Sequence, residues 1–388
     1  MNAVVPGSTH VGIVRRVLHV AIDAGPLHGH RTGIGNAVAW YLDALEAHPF
    51  ADQIRVSRYV TSMRASLDDG ERRLPAPAAV ALRSWARSSR LRADRWLGRP
   101  DLVHGTNYVV PPTTAPRVVS VYDCWFLDHP VSAHRDVRLA SAVLVRALHD
   151  GATALTSSQA TADRLREHVD TDRIEVVHLG PPLDLDEDGD DAPPAVATRL
   201  EGAPFILSLG TIERRKNVPT LVRAFGRLAA EHPDAHLVIA GRDGDDATTV
   251  ATAIAALRPE VRARVIRTGP VSGASKRWLL ANAAVLGYVS LDEGFGFPLL
   301  EANAAGVPIV ASTAGSIPEV AGSSALYAAP GDVDAIAAHL FGMVEASTGS
   351  TRRQLMIEAG SRNLERFSWD DTVTQTVALY RRLVEQRS

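Results

Sequence analysis

Two glutamates around a glycine turn carry the clearest chemistry in this chain of 388 residues. Glu293 precedes the turn Gly-Phe-Gly-Phe at 294–297, and Glu301 follows it. We expect Pro298 to occupy the first position of a helix, where its missing amide hydrogen costs nothing. Such a helix would point the amides of the turn into a cleft, and helix N-termini bind phosphates. Because carboxylates accept hydrogen bonds from hydroxyls, the segment predicts a nucleotide-sugar site.

A basic loop at 210–217 supplies cations for the same ligand. It follows a predicted strand at 205–209 and precedes a predicted helix, so Arg215 and Lys216 stand where open α/β sheets bind ligands. A departing diphosphate needs such cations in the transition state. Lys216 and Lys276 are the only lysines in an arginine-rich chain. A lysine that persists against this bias is expected to do what the planar guanidinium of arginine cannot.

These motifs resemble the Glu-x7-Glu signature of the family-4 glycosyltransferases, which are retaining enzymes of the GT-B fold. Segments at 308–312, 315–320 and 330–332 resemble the family's blocks after the signature, and Thr32-Gly33-Ile34-Gly35 resembles its N-terminal glycine loop. The resemblance covers residues 17–385. It implies an α/β architecture of two Rossmann-like domains with parallel sheets facing across a cleft, and a C-terminal helix that crosses back to the first domain.

The resemblance also implies a domain division. Residues 1–182, with helix 369–388, would form the acceptor-binding domain, and residues 200–368 the donor-binding domain. Residues 183–199, rich in Pro, Asp and Ala, are predicted to be the linker. Asp184 and Asp186 in that linker match the start of a calcium loop and a metal-binding Asp-x-Asp motif. We expect both side chains to be solvated and to bind no metal.

The resemblance implies a role for each matched side chain. Lys216 and Arg215 would hold the diphosphate, Glu301 the ribose hydroxyls and Glu293 the hydroxyls of the donor sugar. Thr211 stands where many relatives have an arginine, so either Arg214 or Arg215 takes that role. We predict Glu293, Lys216 and Asp123 to be catalytic. The donor-binding residues are predicted to be Gly33, Gly35, Arg215, Lys216, Glu293, Gly294, Phe295, Gly296, Phe297 and Glu301.

The acceptor side departs from the family at Tyr122. Many relatives have a histidine before Asp123, whereas a tyrosine does not act as a base near neutral pH. Either a retaining front-face mechanism needs no base at this position, or another residue takes the role. Asp123 and His104 are the candidates, and we place Tyr122 and His104 on the acceptor side.

The overall composition indicates a soluble enzyme. A net charge of -3 gives no footprint of nucleic-acid binding, and the single cysteine, Cys124, indicates a reducing compartment. We found neither a signal peptide nor an apolar run of the roughly 18–20 residues that span a membrane. We therefore expect a cytoplasmic bacterial enzyme. As the glycosyltransferase that the resemblance implies, it would need no cofactor and no metal, because side-chain cations and helix dipoles would stabilise the leaving diphosphate. Its partners would be a nucleotide-sugar donor and a glycan or lipid-linked acceptor.

Residues 80–99 predict a basic helix with tryptophans on its apolar face. Leu82, Trp85 and Trp96 share that face, and six arginines in the segment are offset only by Asp94. Such a helix suits peripheral contact with an anionic membrane at the inner face. The alternative is a helix packed on the first domain with a solvated basic side.

Two other functions use the same features. A sugar-nucleotide epimerase on the same fold would bind the same donor but would need acid–base residues around C2. A catalytically silent nucleotide-sugar-binding protein would explain Tyr122 in place of histidine. A nicotinamide enzyme is disfavoured, because Val38 stands where the dinucleotide fingerprint needs a third glycine. The resemblance therefore favours a retaining hexosyltransferase. Its glycine loop and basic loop are similar to those of mannosyl- and rhamnosyl-type relatives, and we predict GDP-mannose as the donor.

Overall fold

The computed structural model describes residues 16–29, 31–63, 65–130, 135–183, 195–346 and 350–387, which form two parallel β-sheets packed between helices. The strands of the first sheet are β1 (Leu18–Asp23), β2 (Ile54–Val60), β3 (Arg72–Arg73), β4 (Leu102–Gly105), β5 (Arg117–Val121), β6 (Thr153–Thr156) and β7 (Ile174–Val176). Its helices are α1 (Gly33–Ala47), α2 (Ala78–Arg87), α3 (Trp125–Asp128), α4 (Arg135–His149) and α5 (Gln159–His168).

The second sheet has six strands. In chain order, this half contains α6 (Ala195–Leu200), β8 (Phe205–Leu209), α7 (Val218–Leu228), β9 (His236–Ala240), α8 (Ala247–Ala255), α9 (Pro259–Arg262), β10 (Val265–Gly269), α10 (Gly273–Asn282), β11 (Val285–Tyr288), α11 (Phe297–Ala304), β12 (Ile309–Ser312), α12 (Ile317–Ala321) and β13 (Ala325–Ala328). The chain ends with α13 (Val333–Glu345), α14 (Thr351–Leu364) and α15 (Trp369–Glu385).

The strand order of each sheet reverses at one point. The first sheet runs β3-β2-β1-β4-β5-β6-β7 and the second β10-β9-β8-β11-β12-β13, and all pairs are parallel. The reversals lie between β1 and β4 and between β8 and β11. Ligands of open α/β sheets bind at the carboxyl ends of the strands beside such a reversal. The fold thus offers one such crevice in each half.

The C-terminal helix joins the first sheet, as the resemblance implies. Val373, Val377 and Tyr380 of α15 are buried in the core that α1, β1 and β4 also form. The Tyr380 hydroxyl lies 3.2 Å from the hydroxyl of Tyr41 on α1 and 2.6 Å from Nδ1 of His104 on β4. Burial of this apolar face fixes the last helix on the first half of the chain.

The helix predicted over 80–99 is wrong in its length. α2 ends at Arg87, and Ser88 that follows is extended. The Ser88 hydroxyl accepts a hydrogen bond from the amide of Arg90, a local contact that competes with helical pairing. Trp85 is only 6% exposed and packs in the first core, so α2 uses its apolar side to cover the first sheet.

The predicted linker 183–199 includes the start of α6. Val196 and Leu200 of this helix are buried in the core of the second sheet. Residues 195–200 therefore belong structurally to the second half. The spacing of Val196 and Leu200 was the only feature of the sequence that indicated a helix here. Asp184 and Asp186 lie outside the described residues.

Candidate functional site

Glu293 lies at the centre of a buried ion cluster. It follows β11 and is 4% exposed. One of its carboxylate oxygens lies 2.6 Å from Lys216 Nζ, and the other lies 2.6 Å from an Arg215 guanidinium nitrogen. The hydroxyl of Ser290 donates a further hydrogen bond of 2.6 Å. The structure thus brings together three of the residues that the sequence singled out.

The two cations keep Glu293 ionised. Burial alone would raise the pKa of this carboxyl, but the Lys216 ammonium and the Arg215 guanidinium outweigh burial and lower the pKa to about 2. The carboxylate is therefore charged near neutral pH. A charged carboxylate can orient the ammonium toward a ligand and accept hydrogen bonds from sugar hydroxyls.

A tight turn after β8 positions the two cations. Residues Arg214–Lys216 form a 3-10 turn that ends at Asn217, whose φ of 53° is left-handed. The Asn217 amide group donates hydrogen bonds to the carbonyls of Val289 (3.0 Å) and Pro330 (2.8 Å). The Asn217 side chain makes no capping hydrogen bond to an amide of α7. Instead it fastens the basic loop to the ends of neighbouring strands.

Lys216 fits a narrow space. Its ammonium lies 3.1 Å from the Tyr288 hydroxyl and 5.0 Å from the centre of the Tyr288 ring, in addition to its bond to Glu293. Arg215 instead bridges two carboxylates, since its Nε lies 2.8 Å from Glu213. Arg214 is exposed, so the geometry selects Arg215 as the arginine of this loop. The sequence had left that choice open.

The glycine turn has the form of an anion site. Gly296 precedes α11 with a left-handed φ of 100°, and Pro298 occupies the second position of that helix rather than the first. Among the described residues, the amides of Gly294, Phe295 and Gly296 have no acceptor. Amides aimed outward at a helix N-terminus bind phosphate oxygens.

Glu301 is held by the second lysine. Its Oε1 lies 3.1 Å from Lys276 Nζ, and both side chains are largely buried. Each of the two lysines thus pairs with one of the two glutamates of the motif. We did not assign Lys276 a role from the sequence, although the bias against lysine marked both residues equally.

Asp123 faces the cluster from the first half of the chain. Burial raises the pKa of its carboxyl, and the nearby charge of Arg215 partly opposes this effect. Its Oδ1 accepts a hydrogen bond of 3.2 Å from the amide of Trp125. Asp292, which the sequence analysis had not singled out, adds another carboxyl, and burial together with the charge of Asp123 raises its pKa to about 6. Asp123 and the Glu293 cluster therefore face each other across the cleft.

His104 does not have the environment of a base. It is 3% exposed, with Nδ1 2.6 Å from the Tyr380 hydroxyl and Nε2 2.9 Å from the Ser120 hydroxyl. Burial lowers its pKa to about 3. Burial raises the pKa of the Tyr122 phenol above the ordinary value. Hydroxyl groups thus occupy both ring nitrogens of His104, which argues against a role as a base, and its place on the acceptor side stays a prediction.

A cavity adjoins Tyr122 on the acceptor side. Its volume is about 40 Å³. Its polar lining consists largely of hydroxyl side chains, among them Tyr41, Thr106, Ser120, Thr156 and Thr376. A cavity of this size has room for only a few water molecules.

The two glycines of the N-terminal loop differ in their surroundings. Gly33 has open space around it, whereas a Cβ on Gly35 would lie 2.6 Å from the carbonyl oxygen of Pro26. Tight packing thus explains Gly35 without a ligand. Helix α1 nevertheless reaches the donor turn, since the rings of Trp40 and Phe297 are 5.3 Å apart. The phosphate-binding role of Gly33 and Gly35 stays a prediction.

Comparisons with known proteins agree with this geometry. Residues 194–362 match the family model "Glycosyl transferases group 1". O-antigen chain mannosyltransferase B of Escherichia coli is 29% identical over 288 residues, which are 73% of this chain and 74% of that protein. D-inositol 3-phosphate glycosyltransferase of Mycobacterium avium is 30% identical over 56% of this chain, a match that spans only 51% of that protein.

A solved structure shows the same fold over nearly the full chain. WaaG, a glycosyltransferase involved in lipopolysaccharide biosynthesis, superposes with a TM-score of 0.69 at 16% identity and covers 93% of this chain and 99% of its own. Its identity is too low to carry more than the fold. The predicted two-domain fold is thereby confirmed.

Proposed function

We propose that this chain moves a hexose from a nucleoside-diphosphate sugar to an acceptor hydroxyl with retention. The premise is that the chain is a GT-B glycosyltransferase whose donor half belongs to the glycosyl transferases group 1. The epimerase alternative is not favoured, because the relatives are named as transferases of sugars. The observation that carries the proposal is Glu293 with its two cations beside the unpaired amides of the turn.

The chemistry follows from charge. As the bond between the sugar and the diphosphate breaks, negative charge grows on the phosphate oxygens, and Lys216, Arg215 and the turn amides stabilise it. Glu293 would orient the sugar through its hydroxyls, and Glu301 would accept hydrogen bonds from the ribose. We propose that these cations and amides act without a metal ion. Asp123 would contact the reacting hydroxyl from the first domain.

The name of the Escherichia coli relative supports mannose as the sugar, and we propose GDP-mannose as the donor. A ligand present at 100 times its dissociation constant stabilises the fold by about 2.7 kcal/mol. A thermal-shift screen of nucleoside-diphosphate sugars should therefore give its largest melting shift with GDP-mannose, without added metal. A larger melting shift with a uridine-diphosphate sugar would make that sugar nucleotide the donor in place of GDP-mannose. If no sugar nucleotide shifts the melting temperature, the proposed function is wrong.

We also propose a cytoplasmic enzyme that touches an anionic membrane through a basic surface around 80–99 and takes a glycan or lipid-linked acceptor there. None of the helices in the described ranges has the length and apolar character to cross a membrane. Leu91 is 65% and Trp96 47% exposed. Arginines line two open grooves of this half: Arg83, Arg87, Arg135 and Arg138 on one, and Arg16, Arg92, Arg95, Arg99 and Arg387, with Asp94 and Asp101, on the other.

Sedimentation with lipid vesicles tests this surface. Wild-type protein should sediment with anionic vesicles and not with neutral ones, because arginines and exposed apolar side chains act together at such a surface. The double variant Leu91→Ser, Trp96→Ser should bind less. Leu355→Ser, at an equally exposed position of the donor half, is the matched control and should bind like wild type. Equal binding to both kinds of vesicle would contradict the proposal.

A further inference from the structure

Three hydroxyls of the first domain converge on one carbonyl of the donor turn. The Gly294 oxygen accepts hydrogen bonds from Ser158 Oγ (2.8 Å), Ser157 Oγ (3.3 Å) and Thr161 Oγ1 (3.3 Å). Thr161 also lies 3.2 Å from the carbonyl oxygen of Tyr122. The N-terminus of α5 therefore fastens the turn that follows Glu293 to the acceptor-side residue Tyr122.

This contact fixes the direction of an amide. In a trans peptide unit the carbonyl and the N–H point in opposite directions. With the Gly294 carbonyl turned toward α5, the N–H of Phe295 points away from α5. That N–H has no acceptor among the described residues. The hydroxyls of α5 thus orient a free donor of the anion-binding turn, and they do so only while the two halves touch.

A carboxylate from the second domain holds the same helix end. Glu319 of α12 accepts hydrogen bonds from the first two amides of α5, Gln159 (2.8 Å) and Ala160 (3.1 Å). Its Oε1 also accepts one of 2.8 Å from His178 Nε2. The first amides of a helix have no partner within it, and a carboxylate there is stabilised by the helix dipole. Burial raises the pKa of Glu319, but His178 and the two amides outweigh it and lower the pKa.

We propose that Glu319 is a positioning residue that caps α5 across the domain boundary and thereby holds Ser158 and Thr161 on the donor turn. This inference rests on the proposed function, because the aligned turn serves transfer from a nucleotide sugar. An interaction that matters most in the transition state lowers turnover more than ground-state binding. Loss of the cap should therefore reduce kcat more than it weakens donor affinity.

Amide hydrogen exchange tests the cap directly. In Glu319→Gln the neutral side chain accepts less strongly from the two amides, so exchange at Gln159 and Ala160 should rise by about 10- to 100-fold. Amides in the middle of α5 should keep their wild-type rates. The matched control is Glu167→Gln, which removes an exposed carboxylate paired with Arg164 on the same helix and should leave every rate unchanged. Unchanged exchange at Gln159 and Ala160 in Glu319→Gln would overturn the proposal.

Kinetics test the positioning role. Glu319→Gln and Thr161→Val should lower kcat by about tenfold or more, with little change in the affinity for the free nucleoside diphosphate measured by calorimetry. Thr161→Ser keeps the hydroxyl and should restore turnover. Faster exchange with wild-type kcat would overturn the positioning role. A wild-type protein that transfers no sugar would refute the proposed function instead, while the exchange result would still decide whether Glu319 caps α5.

Discussion

Lys216→Ala is expected to lower turnover by about 10²–10³-fold, the loss seen when one stabilising group is removed from a developing anion. The same substitution leaves the buried Glu293 carboxylate with Arg215 and Ser290 as its partners. Glu293→Ala should cause a loss of similar size, because it leaves Lys216 without its carboxylate. Steady-state transfer to acceptor measures both variants.

Lys216→Arg separates charge from shape. The guanidinium keeps the charge, but the space between Glu293 and the Tyr288 ring holds a compact ammonium. We expect this variant to resemble Lys216→Ala rather than wild type. Arg227→Ala, which removes an exposed cation from α7, is the control and should be fully active. Full activity of Lys216→Arg would show that the composition bias carried no functional information.

Gly294→Ala is expected to lower turnover by about 10- to 100-fold, because extra volume in a packed contact costs about 1–3 kcal/mol. A Cβ at this position would lie 1.4 Å from the carbonyl oxygen of Tyr122, a backbone atom that cannot turn aside. Gly294 does not have a positive φ, so alanine fits the turn itself and disturbs only the contact between the two halves.

Gly331→Ala is the matched control for that variant, since a Cβ there meets nothing within 4 Å. It should keep wild-type turnover. Gly294→Ala should still fold and bind the nucleoside diphosphate, because the cations and Glu301 lie in the second half. Wild-type transfer by Gly294→Ala would mean that the reaction does not require the contact with Tyr122.

Local patterns in the sequence predicted which side chains of the proposed donor site lie together in the structure. The spacing of Glu293 and Glu301 places both on one turn and helix, and the loop of Lys216 follows a strand that periodicity predicts with its observed bounds. β2 has a weaker signal, because its sequence, IRVSRYV, interrupts the apolar pattern with two arginines and a serine. The length of α2 was overestimated because helical spacing continued past Arg87, whereas Ser88 ends the helix through a local hydrogen bond.

Contacts between segments that are distant in the chain could not be predicted from local sequence patterns. Glu319 lies 160 positions from Gln159, and nothing in either segment marks them as partners. His104 resembled a candidate base because it ends a strand beside the cleft, but its partner Tyr380 comes from the last helix. Lys276 differs from these residues, because lysine is rare in this chain and the composition therefore drew attention to Lys276 as well as Lys216.

Titration calorimetry of GDP-mannose, or of the sugar nucleotide that the screen selects, tests the central claim most directly. Wild-type protein in metal-free buffer should bind one donor per chain, and Lys216→Ala should bind it much more weakly, because the buried ammonium lies beside Glu293 at the unpaired amides of the turn. Equal donor affinity in the two proteins would contradict the assignment of this cluster as the donor site.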